Sequence, residues 1–175
     1  MPFDAPFKLG PFEVDAEGRL SPLVSASAIA PPSLLFRWRD RVVRAQLDQS
    51  ADAAEGQLTL QTMLGRVPST ASVVEGALRP RSFALLHWMP RSVPQDWHLH
   101  LLADHRVRLH TETPVALPIT AAGLLGEITL FLLALRPYLD LLDETGVTAL
   151  VADDQRGNSS SATQVAPTPR APAAI

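Results

Sequence analysis

The chain contains no cysteine, which excludes disulfides and thiolate metal sites and leaves its redox compartment open. It holds a single lysine, Lys8, so its basic side chains are nearly all arginine, as a GC-rich coding bias alone would produce. It also lacks a large charge excess. A net charge of −3 and a pI of about 5.9 supply no basic footprint, so nucleic acid is not an expected partner. No Gly-x-Ser-x-Gly elbow, His-Glu-x-x-His pair or Gly-rich phosphate loop occurs. The spacings that place a nucleophile, a zinc ion or a nucleotide phosphate in those motifs are therefore missing, so an enzyme is unsupported without being excluded, and no cofactor is expected. Met1 to Gly10 has no positive stretch leading into an apolar one, so no signal peptide is expected and a cytoplasmic location follows by default.

A chain of 175 residues with 46% hydrophobic content fits one domain plus a tail. Residues 1–151 are expected to form a single α+β domain. Residues 152–175 are rich in Pro, Ala and Ser, bury too little apolar area to offset their ordering entropy, and are expected to be a disordered tail.

The strongest periodic signal follows Leu124. Ile128, Phe131, Leu135, Tyr138 and Leu142 recur at spacings of four and three, one face of an α-helix. Thr120 suits its N-cap and Gly146 its C-terminal stop, while Pro137 predicts a kink or restart. Leu125, Leu130, Leu133 and Leu141 lie off this stripe, more apolar surface than one sheet face covers. They are the candidate partner-binding residues, for a homodimer or a protein client. A membrane span over Val115 to Leu135 is long enough, but Pro118 interrupts it, Glu127 charges it, and flanking basic clusters and an aromatic belt are missing; a buried helix is expected instead.

Upstream of this helix, Trp97, Leu99 and Leu101 alternate with polar residues, and so do Val107, Leu109 and Thr111, which predicts a hairpin. A three-residue loop at Asp104-His105-Arg106 would place Leu101 opposite Leu109, His100 opposite His110 and Glu112 opposite His98. A His-x-His strand with a third His and a carboxylate is a ligand set for zinc or iron, so His98, His100, His110 and Glu112 are the metal candidates, and a metal-binding module or metal-dependent enzyme on this face is the alternative to an interaction protein. The same residues also suit an ordinary solvent-facing sheet surface. Earlier, Phe7 to Leu20 reads as two short strands about Glu17-Gly18, and Ser21 to Ser33 as a loop. Leu34 to Trp38 and Arg41 to Leu47 form a predicted hairpin about Arg39-Asp40, pairing Phe36 with Val43 and Leu34 with Ala45. Gln49 to Gly56 is a predicted loop, and Gln57 to Leu64 a strand with Leu58, Leu60, Thr62 and Leu64 on one side. Arg79-Pro80 to Met89 predicts a short helix with Pro80 in its first position. Arg37, Arg39, Arg41 and Arg44 cluster around the first hairpin, a set suited to phosphate or an acidic partner, or to a solvated strand face.

The order is strands, short helix, hairpin, long helix: an α+β fold whose antiparallel sheet carries a long C-terminal amphipathic helix on one face. Through the hairpin at Trp97 to Thr111, the Pro114 to Pro118 linker and the helix at Thr120 to Leu142, the chain resembles the YbjN-like and type III secretion chaperone-like proteins. The resemblance covers about two-thirds of the chain and rests on element order. That family opens with a helix where Phe7 to Leu20 reads as strands. It implies a small, acidic, often dimeric, non-enzymatic protein acting as a chaperone or interaction module.

Overall fold

The computed structural model describes residues 5–23, 31–49, 54–71 and 73–149. The expected tail at 152–175 lies outside these residues, as do parts of the expected loops at 21–33 and 49–56. Three short strands come first, β1 (Phe7–Leu9), β2 (Phe12–Val14) and β3 (Leu20–Pro22), in a separate antiparallel sheet. One more turn exists there than the sequence suggested: β1 and β2 reverse at Gly10, whose φ of 59° suits a residue without Cβ. The main sheet contains β4 (Ser33–Trp38), β5 (Arg41–Asp48), β6 (Glu55–Arg66), β7 (Trp97–Leu101) and β8 (Arg106–Ala116), in the order β4-β5-β6-β8-β7, all antiparallel. Between β6 and β7 runs α1 (Val73–Trp88), and after β8 comes α2 (Ala121–Glu144). The class is α+β, as expected.

Alternation accounts for the core. Val43, Ala45 and Leu47 of β5, Leu58, Leu60, Thr62 and Leu64 of β6, and Val107, Leu109 and Thr111 of β8 are all buried on the face that meets α2. From α2 come Leu124, Ile128, Phe131, Leu135, Leu139 and Leu142, the stripe that the 3.6-residue period requires. Trp97 joins the two layers, its ring centroid 5.1 Å from that of Phe131. The β4–β5 register pairs Phe36 with Val43 and Leu34 with Ala45, as the sequence predicted.

Both ends of α2 are tied down. Thr120 accepts the Gly123 N–H at 3.0 Å, and the Gly18 carbonyl accepts the Ala121 N–H at 2.8 Å, so the small sheet helps to satisfy the free donors of the first turn. At the other end Gly146 adopts φ 86°, Val147 donates to the Leu142 carbonyl and Gly146 to that of Asp143, a Schellman closure with Val147 and Leu142 both buried. The helix runs through Pro137 without restarting.

Three boundaries differ from expectation. First, α1 begins at Val73, so Pro80 stands inside the helix rather than at its first position. The extra turns are held from outside: Arg79 donates to the Pro68 carbonyl at 2.7 Å and lies over the Phe83 ring, and Leu78 packs against Gly146. Second, the hairpin closes one residue earlier. Leu102 donates to the Arg106 carbonyl, leaving Ala103-Asp104-His105 as the loop, with His105 at φ 65° and Asp104 accepting the Arg106 N–H. Leu101 therefore faces Val107, not Leu109. A shift of two residues leaves every side chain on its original face, so alternation could not detect it. Third, Pro114 belongs to β8 rather than to a linker. The β7–β8 pairing ends at Thr111, so Pro114 sits where β8 lacks a neighbour on that side and a missing N–H costs little.

Candidate functional site

The two sides of α2 differ sharply. Leu139 on the sheet side is fully buried, whereas Leu125, Leu130, Leu133 and Leu141 are 50%, 63%, 61% and 38% exposed. The outward stripe reads Ala122, Gly126, Leu130, Leu133, Pro137 and Leu141, at helical spacings and without a charge. The candidate partner-binding leucines thus share one helix with the core but lie off its buried stripe. By length and composition alone, α2 is also the one described helix apolar enough to cross a membrane. Its inner stripe is packed against the sheet.

On the sheet face opposite α2, His98 pairs across the hairpin with His110 and His100 with Arg108. His100 stacks on His110, their centroids 5.1 Å apart and their planes 14° apart, while the His98 ring is tilted by 33° at 5.0 Å from His110. Glu112 is not opposite His98; it accepts a hydrogen bond from Gln57 at 2.8 Å. Among the described residues, no group of three or more His, Asp or Glu side chains is placed to hold a metal ion.

Burial pushes the His110 imidazole below its ordinary value; His98, His100 and Arg108 push the same way, and Glu112 opposes them. The folded state therefore binds fewer protons here than the unfolded chain. This contribution to stability is fully present above the ordinary imidazole value, about 6.5, and is lost as pH falls through the lowered one. Thermal melts of the wild type and His110→Gln between pH 7.5 and 5 should converge toward acid, as the wild type loses a term that glutamine does not have. Parallel profiles would show that the ring is not opposed.

The arginines near the first hairpin divide. Arg41 points into the core side, where it is buried and donates to the Leu64 carbonyl at 2.6 Å and to Asp143 at 2.6 Å. Arg39 pairs with Asp140 at 2.7 Å and lies over Trp38. Arg37 and Arg44 remain exposed on the open sheet face. Alternation places Arg41 on the inner side, but its partner is 102 residues away in sequence and gave no local signal.

A cleft of about 570 Å³ lies between the start of α1 and the hairpin loop, bordered by Arg66, Arg79, His105, Glu75 and Thr148. Arg79 is engaged there by the Pro68 carbonyl and approaches His105. The sequence reading did not find this cleft, because the chain segments forming it are distant from one another. No family model, curated protein or solved structure matches the chain.

Proposed function

We propose that this domain is a non-catalytic, chaperone-like interaction protein that forms a homodimer through the outer face of α2 and uses apolar contacts of that kind to hold a protein client. The observation that carries the reading is the uncharged stripe of Leu130, Leu133 and Leu141, exposed along a helix whose other side is already committed to the core. Contiguous exposed apolar surface on a folded domain marks association sites, because leaving it in water costs roughly 25 cal/mol per Å². Small residues at Ala122 and Gly126 let a second helix approach closely on the same side.

Light scattering coupled to size-exclusion chromatography tests this. The wild type should elute at twice 18.9 kDa, and Leu130→Glu or Leu133→Glu at the single-chain mass with an unchanged melting curve. A monomeric wild type, or variants that unfold, would remove the basis for the proposal.

A further inference from the structure

The charge of the open sheet face is segregated along the strands, although the chain as a whole is weakly acidic. The pairing sets the residues in rows across the sheet. One row runs His98, His110, Gln61, Arg44 and Leu35; the next begins His100, Arg108 and Met63, with Val42 and Arg37 paired beyond them. Toward the other end of the same strands, the rows hold Glu112 with Thr59 and Gln46, then Gln57 with Asp48, then Glu55. All the acids of the face thus occupy one half, and Arg37, Arg44, Arg108 and three histidines the other. None of these three guanidiniums has an ion-pair partner among the described residues, and Arg108 Nε is buried with no hydrogen-bond partner.

We propose that this basic half-face binds single-stranded nucleic acid. Four strand spacings of about 4.8 Å separate β7 from β4, so the patch is roughly 19 Å wide, room for several nucleotides of an extended strand. Two properties favour a nucleic acid strand over an acidic peptide. Arginine forks match phosphate oxygens two at a time and lie flat against bases. The exposed His98 and His100 rings, the second stacked on His110 and the first tilted against it, offer π-surfaces to unpaired bases, which an acidic peptide would leave unused. A five-stranded face is broader than a major groove, which admits a helix or a two-stranded ribbon, so a duplex is not the preferred form. Around His110, β7 contributes His98 and His100, β6 the neutral Gln61, and β8 itself Arg108 and Glu112. A phosphate beside His110 and Arg108 relieves the repulsion between them, so protonation of His110 and binding reinforce one another. This surface lies on the opposite side of the sheet from α2, so the proposal stands apart from the dimer reading.

The test is fluorescence anisotropy of labelled 15-mers of deoxythymidine and uridine with the full-length protein, at pH 7.5 and 5.5 over a range of salt. Each phosphate contact contributes about −0.7 to the slope of log K against log salt. Three arginines therefore give a slope of roughly −2 at pH 7.5, which steepens as falling pH protonates His110. Arg37→Gln and Arg44→Gln, both at exposed positions, should each flatten the slope by about 0.7 with unchanged melting curves. Absence of binding at 50 mM salt and pH 5.5, or a slope unaltered in both variants, would overturn the proposal. So would equal competition by a poly-glutamate peptide, which would assign the face to an acidic protein segment.

Discussion

Arg41→Ala should lower the free energy of unfolding by about 3 kcal/mol, measured by urea denaturation, because it empties a buried polar position that makes three side-chain hydrogen bonds. The Arg41 side chain is only 4% exposed, and its three nitrogens reach the Leu64 carbonyl, the Arg39 carbonyl and Asp143. It thereby joins β5, β6, the β4–β5 turn and the end of α2. Deleting it leaves the Leu64 carbonyl without that donor and Asp143 without its closest cation. Removal of one partner of a buried pair costs about 3–5 kcal/mol. The Asp143 side chain is 39% exposed, so water recovers part of that loss and the low end of the range applies. Asp143→Asn keeps an acceptor for the guanidinium but leaves the buried Arg41 charge without its carboxylate, so it should cost about 1–3 kcal/mol. A loss below about 1 kcal/mol for Arg41→Ala would mean that the arginine contributes little beyond its packing.

The contrast between Arg41 and its neighbours shows what could be read from the sequence. Alternation in β5 and β6 fixed which side chains share a face, and the β4–β5 register followed from a turn too short to permit alternatives. The hairpin of β7 and β8 defeated the same reasoning. Its parity was legible, but a displacement of two residues preserves parity, and only the left-handed conformation of His105 and the Asp104 hydrogen bond decided between registers. The consequence reached the candidate site, because His100 faces Arg108 instead of His110. In α1, Pro80 suggested a helix start by its usual preference, whereas Arg79 and Leu78 hold the preceding turns through contacts with Pro68 and Gly146. Long-range contacts also made the charge segregation invisible. Arg44 and Arg37 come onto one face with Arg108 and His110 only once β6 lies between β5 and β8, and a net charge sums over that arrangement.

Leu139→Ala should destabilise the protein by about 2–5 kcal/mol, while Leu133→Ala, six residues earlier on the same helix, should change the stability of the monomer by no more than about 0.5 kcal/mol. Leu139 is fully buried and Leu133 is 61% exposed. Truncating Leu139 removes buried methyl groups and leaves a cavity between α2 and the sheet, whereas truncating Leu133 removes area that water already reaches. Both substitutions place alanine, a better helix former than leucine, at a helical position, so local propensity does not separate them. Denaturation at low protein concentration, where self-association is minimal, measures the monomer term. Repeating it at high concentration measures the dimer term, since a partner that binds only the folded chain adds stability by mass action. The wild type should gain stability with concentration, Leu139→Ala should gain as much from its lower starting point, and Leu133→Ala should gain less. Equal losses for the two variants at low concentration would place Leu133 in the monomer core and leave α2 with no face for a second chain.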